Sequence, residues 1–275
     1  MKKLLALLLA ALMIVTLAAC ANEDEKGNDL DDYLQEEVII DHITIKNGDY
    51  TDTFYFDSID SETVTITKYE GTDTPHDVVI PGTLIEKTVV AISDQAFYFC
   101  SNVKSVTIPD TVTSIGKYAF AGCASIETIN IPASVTSIDE AAFANCSGLK
   151  TVNFAAESEL KNIEQKTFYN CTALTSVTIP AYVETVGTGA FYGCVALADV
   201  TVSEGVVLIG SQAFQNCEEL AHITLPASVT SIGEFAFSGS KKLYRDGVIC
   251  PAGSYAEKYI DTNMLLDDTA PEVEE

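Results

Sequence analysis

The sequence predicts a β-rich solenoid of about seven coils, each about 23 residues long. Three observations predict it. Phenylalanine recurs at Phe97, Phe120, Phe143, Phe168, Phe191, Phe214 and Phe237, at intervals of 23, 23, 25, 23, 23 and 23 residues. Most of these sit in an Ala-Phe-x-x-Cys frame, as in Ala119-Phe120-Ala121-Gly122-Cys123 and Ala190-Phe191-Tyr192-Gly193-Cys194. Apolar residues also align in columns between the frames, such as Val106, Ile129, Val152, Val177, Val200 and Ile223. A fixed period of this size marks units that cannot bury their apolar side alone and must stack on a neighbour.

The chain opens with Lys2 and Lys3 and an apolar run, Leu4–Leu17, that is too short to span a bilayer as a helix. A basic start, an apolar stretch and small residues before a cut site make an export signal. Its end, Leu17-Ala18-Ala19-Cys20, resembles a bacterial lipobox. The resemblance implies cleavage before Cys20 and diacylglyceryl attachment to its sulfur, so that lipid chains hold the protein on a membrane. An ordinary signal with a neighbouring cysteine is the alternative. Residues 20–37 are acidic and poor in large apolar side chains, which suits a disordered tether.

Residues 38–77 alternate polar and apolar side chains in short runs, among them Ile43-Thr44-Ile45, Phe54-Tyr55-Phe56 and Val64-Thr65-Ile66. Asn47-Gly48 and Glu70-Gly71 supply turn chemistry. The segment reads as an antiparallel β cap over the open end of the stack.

The repeats run over 78–242. In the unit from Leu174, Val177 and Ile179 have the spacing of inward side chains on a strand, and Pro180 cannot donate a further ladder bond and ends it. A second inward column is Ile115, Ile138, Ile163, Val186, Ile209 and Ile232. The long interval carries two extra residues around Ala155–Ser158 and lacks the proline, which predicts a bulging loop. Ser240 replaces cysteine in the seventh unit, so the stack closes there. Residues 243–262 read as a C-terminal cap with a short helix near Ala256–Ile260, and 263–275 as an acidic tail.

This pattern, Ala-Phe-x-x-Cys-x-x-Leu-x-x-Val-x-Ile-Pro, resembles the BspA-type leucine-rich repeats of bacterial surface proteins. The run Glu62–Gly71 resembles the strand that often precedes the first repeat, and Gly253–Tyr259 the usual closing segment. The resemblance implies a curved, right-handed leucine-rich-repeat solenoid with a parallel sheet on its concave side. It also implies an exported protein that binds host or microbial surfaces.

Eight cysteines in an exported chain first suggest disulfides. Six of them, Cys100, Cys123, Cys146, Cys171, Cys194 and Cys217, occupy one position per coil. Stacked about 4.8 Å apart with parallel side chains, they keep their Cβ atoms wider than the roughly 3.8 Å that a disulfide needs. Free buried thiols follow, and a line of thiols does not make a tetrahedral zinc site.

The search for chemistry finds little. His42, His76 and His222 sit in no metal-spacing motif, and no phosphate loop, nucleotide fingerprint or nucleophile elbow appears. Ser176, Asp199 and His222 share an outward strand column, read as solvent-facing polar residues. No catalytic, metal or cofactor site is expected. The net charge of −25 becomes more negative once Lys2 and Lys3 leave with the signal, which disfavours nucleic acid and anionic headgroups as partners.

Candidate binding residues are Tyr98, Tyr169 and Tyr192, each following the repeated phenylalanine, with Tyr118, Tyr182 and the terminal Tyr244-Arg245. Aromatic and arginine side chains anchor interfaces. The alternative is that the tyrosines merely pack over turns. The expectation is a monomeric, membrane-tethered surface protein that binds an extracellular protein or glycan. The alternatives are a passive spacer of the cell envelope and, least favoured, a surface hydrolase.

Overall fold

The computed structural model describes residues 40–263. The export signal 1–19, Cys20, the tether 20–37 and the tail beyond residue 263 lie outside the described residues. The N-terminal cap is a meander of β1 (His42–Asn47), β2 (Tyr50–Ser58) and β3 (Thr63–Gly71), paired antiparallel. Its alternation holds, since Phe54, Phe56, Val64 and Ile66 are all buried. The chain turns at Gly48, which adopts φ 64°, a conformation that glycine takes without a Cβ penalty. Between β2 and β3 the Asp60 carboxylate accepts the amides of Glu62 and Thr63, both at 2.8 Å. Gly71 ends β3 just before the turn at 72–75, and a Cβ there would collide with the Tyr69 hydroxyl and the Asn102 carboxamide.

The stack has two strand ladders. One ladder begins with β4 (His76–Val79) and continues through β7 (Val103–Thr107), β9 (Thr128–Ile131) and β11 (Thr151–Phe154). It resumes with β13 (Ser176–Ile179), β15 (Asp199–Val202), β17 (His222–Thr224) and β19 (Val248–Ile249). The solenoid thus has about eight turns: the expected seven units, the first carrying His76–Val79, and one further rung at Val248–Ile249. The second ladder places β3 parallel to β6 (Lys87–Ile92), itself folded back on β5 (Thr83–Leu84). It continues through β8 (Ser114–Ile115) and β10 (Ser137–Ile138). It resumes with β12 (Asn162–Ile163), β14 (Thr185–Val186), β16 (Leu208–Ile209) and β18 (Ser231–Ile232).

Both ladders stop at the 25-residue interval: β11 is not paired with β13, nor β10 with β12. The two additional residues are held in place. The buried Ser158 hydroxyl donates to the Val135 carbonyl at 3.1 Å, and the Tyr182 hydroxyl donates to the Ala155 carbonyl at 2.8 Å. Extra chain between two rungs moves the next rung out of hydrogen-bond reach, so the expected local loop has a consequence across both sheets.

The third side of the solenoid runs unbroken. There the Phe143 amide donates to Thr167 at 2.9 Å and the Asn145 amide to Tyr169 at 2.7 Å, across the same interval. The seven repeated phenylalanines are buried and stacked, with ring centroids 4.7 Å apart at Phe97–Phe120 and 5.6 Å apart at Phe143–Phe168. Tyrosines close both ends of this column: Tyr69 stacks on Phe97 at 4.7 Å, and Tyr259 meets Phe237 edge-on at 6.3 Å. Tyr259 belongs to α1 (Tyr255–Asn263), whose Ala256 and Ile260 are buried. Beside the column each cysteine thiol from Cys123 to Cys217 donates to the phenylalanine carbonyl of the previous coil, at 3.0 to 3.2 Å. Ser240 makes the same bond to Phe214 at 3.1 Å. The cysteine column is therefore a row of hydrogen-bonding rungs as well as apolar filler.

Candidate binding face

Two positions in every coil, flanking the buried phenylalanine, hold a left-handed backbone. The first comprises Gln95, Tyr118, Ala141, Lys166, Gly189, Gln212 and Phe235, with φ between 55° and 60°. The second comprises Phe99, Gly122, Asn145, Asn170, Gly193, Asn216 and Gly239. Glycine and asparagine are the residues that tolerate this conformation. They fill the second column in every coil but the first, so the backbone accounts for the asparagines without any ligand. It does not account for Phe99. That residue holds φ 57° with a ring 63% exposed.

Phe99 has an exposed aromatic neighbour. Tyr98 meets the Phe99 ring edge-on, with centroids 4.5 Å apart. Tyr98 and Tyr118 are both exposed, at 47% and 37%. Gly122 lies under the Phe99 ring, whose Cδ1 would stand 2.8 Å from an added Cβ. The next coil therefore leaves room for the ring. Bulky side chains in this backbone region are strained, and such strain concentrates at binding sites.

The other candidate residues are placed differently. Tyr169 and Tyr192 stack at 4.8 Å and are half-buried; Tyr169 packs on Ala121, Ala141 and Ala144, and the Tyr192 hydroxyl accepts from Asn216. Tyr182 is half-buried over the Ala155 loop. These three do not form one exposed strip with Tyr98, because their rings cover turns between coils. Tyr244 and Arg245 lie in the C-terminal cap, where Arg245 pairs with Asp261 at 3.0 Å and Glu257 at 3.6 Å. Beside Tyr192 a shallow groove of about 660 Å³ is lined by Asn145, Asn170, Asn216, Thr172 and Val195, among others.

His222 bonds Asp199 at 3.0 Å, both exposed, on the polar strand face. Among the described residues no three His, Cys, Asp or Glu side chains are grouped to hold a metal ion. Burial pushes the thiols up, to about 12 at Cys146 and Cys217 and about 11 at Cys100, so they stay protonated at neutral pH. One buried cluster escaped the sequence reading. His76 donates through Nε2 to Asp52 at 2.8 Å and through Nδ1 to the Thr74 carbonyl at 2.9 Å. Tyr69 donates to the same Asp52 oxygen at 2.6 Å, and Tyr50 stacks on the imidazole at 4.5 Å. Burial lowers the His76 pKa, but the Thr74 carbonyl and the Asp52 carboxylate outweigh it and raise the pKa overall. The cluster joins the cap to the first rung and is closed to solvent.

The family model for the BspA-type leucine-rich-repeat region matches in six copies, over residues 79–160 and 153–245. This chain belongs to the BspA-type leucine-rich-repeat family. Solved structures of similar repeat proteins agree. A leucine-rich repeat protein of T. pallidum is 29% identical, with a TM-score of 0.64, covering 70% of this chain and 89% of that one. One from Eubacterium ventriosum is 34% identical, with a TM-score of 0.56, covering 61% of this chain. The match spans 44% of that longer protein. No curated protein matches the sequence. The BspA-type repeats account for the period, the phenylalanine column and the cysteine rungs, and leave Phe99 as the first coil's own feature.

Proposed function

We propose that this protein is a membrane-tethered, non-enzymatic surface protein that binds an extracellular protein or glycan through the aromatic face formed by Tyr98, Phe99 and Tyr118. The observation that carries this reading is Phe99: a large apolar ring, mostly exposed, on a left-handed backbone that the repeat elsewhere gives to glycine or asparagine. Its covered third contributes only modestly to folding, and the large exposed part of the residue is best explained by a partner. The signal-like Leu4–Leu17 run and Cys20 support display outside the cell on lipid chains. The strong negative charge supports solubility there and argues against nucleic acid.

The test is a screen of the mature protein against arrays of extracellular proteins and glycans, repeated with a Tyr98→Ala, Phe99→Asn double variant. The reading expects at least one retained partner whose signal drops at least tenfold in the variant. A passive spacer would retain no partner, and a partner held equally by the variant would place the site elsewhere.

A further inference from the structure

The 25-residue interval changes the packing in the middle of the stack. Ile108, Ile131, Ile179, Val202 and Leu225 form one inward column, and all are buried. The interval places Phe154 in that column. Phe154 is only half-buried, and its ring stands edge-on to Phe168 with centroids 6.4 Å apart. The proline that ends the neighbouring strands at Pro132 and Pro180 is Ala155 here. Beyond Phe154 the sheet is split. The Lys150 amide donates to Glu127 at 2.8 Å and the Ala198 amide to Thr175 at 2.9 Å, but Thr175 makes no such bond to Lys150. The split is held in shape, since Ser158 and Tyr182 fasten the adjoining loop.

Two hollows flank Phe154, and Asn153 and Phe154 line both. One, of about 350 Å³, reaches Asn130, Ile131 and Pro132; the other, of about 360 Å³, reaches Thr151, Ser176 and Thr178. Each is the size of a small-ligand pocket. Asp110 is the one charged residue that lines either hollow, so an anion meets no counter-charge there. The Asn153 carboxamide donates to Asn130 at 2.8 Å. That bond leaves the pair one carbonyl oxygen and one NH2 group to offer a ligand. Thr151, Ser176 and Thr178 add exposed hydroxyls. A neighbouring donor and acceptor suit vicinal hydroxyls, each of which both donates and accepts. The half-buried phenyl ring suits the apolar C–H face of a sugar ring.

We propose that the split at Phe154 binds a neutral saccharide. Its ring packs on Phe154, and its hydroxyls bond the Asn130–Asn153 pair and Thr178. This site is separate from the Tyr98–Phe99 face, so the two stand or fall independently.

Titration of the full chain with neutral gluco-, manno-, galacto- and chito-oligosaccharides, followed by backbone amide NMR shifts, tests this. The proposal expects at least one of these sugars to shift the amides of Asn153, Phe154 and Thr178. Its dissociation constant should weaken at least tenfold in Phe154→Ile and in Asn153→Ala. Phe154→Ile gives this coil the residue that Ile131 and Ile179 supply in its neighbours, so it serves if Asn153→Ala disturbs the fold. Unchanged amide shifts at Phe143 and Phe191 report that integrity. Amides at the split that no sugar moves overturn the proposal, as does equal affinity in Phe154→Ile. Shifts confined to Tyr98, Phe99 and Tyr118 also overturn it and assign the sugar to that face. Binding of acidic sugars alone overturns the neutral class.

Discussion

Replacing Phe99 by asparagine separates a binding role from a packing role. About a third of the ring is covered, given its 63% exposure. A phenylalanine fully buries roughly 150–250 Å², so about 2 kcal/mol of apolar burial is lost at about 25 cal/mol per Å². Losing the edge-on contact with Tyr98 removes about 1 kcal/mol more. Against this, a bulky side chain at φ 57° carries about 1–2 kcal/mol of strain, which asparagine largely relieves. The balance is a destabilisation of about 1–2 kcal/mol. A chemical denaturation curve for each protein, compared at equal slope, reads it directly. Asparagine already occupies this position in the coils of Asn145, Asn170 and Asn216, so the backbone accepts it. A loss above about 3 kcal/mol, in the range of core phenylalanine truncations, would show that the ring is structural and refute the assignment.

Three further outcomes follow from the packing. Phe143→Ala removes a fully buried ring stacked on Phe120 at 5.3 Å and on Phe168 at 5.6 Å; the expected loss is about 3–5 kcal/mol by denaturation, and under about 1 kcal/mol would remove the column from the core. Cys194→Ser keeps the donor to the Phe168 carbonyl, as Ser240 does to Phe214, so the loss stays below about 1.5 kcal/mol, whereas Cys194→Leu overpacks and destabilises by about 1–3 kcal/mol. The His76 pKa is raised on folding, so its contribution is fully present below the unfolded value of about 6.5 and fades as pH rises through the folded value. Melting temperature followed upward from pH 6 should fall more in the wild type than in His76→Gln; parallel curves would contradict the buried pair.

Much of the fold is written plainly in the chain. The phenylalanine period and the Ile–Val columns depend only on spacing, and stacking turns equal spacing into contact. Tyr69 was not legible as the end of the aromatic column, because it arrives from the cap, where the period does not hold. The interval at Ala155–Ser158 announced extra residues but not the loss of both ladders. Continuity of hydrogen bonds depends on how the whole coil tilts, which spacing does not encode.

The binding face is a mixed case. Tyrosine positions singled out Tyr98 and Tyr118, which are exposed, and also Tyr169, Tyr182 and Tyr192, which pack against turns. Residue type alone does not separate these. Phe99 was within reach of the sequence: aligned two residues after the repeated phenylalanine, it stands in a column otherwise filled by glycine and asparagine. That column had a physical meaning only once its backbone angles were known.

The central claim is that the surface around Phe99 holds the partner. The most direct measurement is the affinity of the partner retained in the array screen, titrated against wild type, Phe99→Asn and a Lys161→Gln control that alters only an exposed pair with Glu184. The account predicts at least a tenfold weaker dissociation constant for Phe99→Asn, about 1.4 kcal/mol or more, with the control unchanged. Equal affinity for wild type and Phe99→Asn would contradict it.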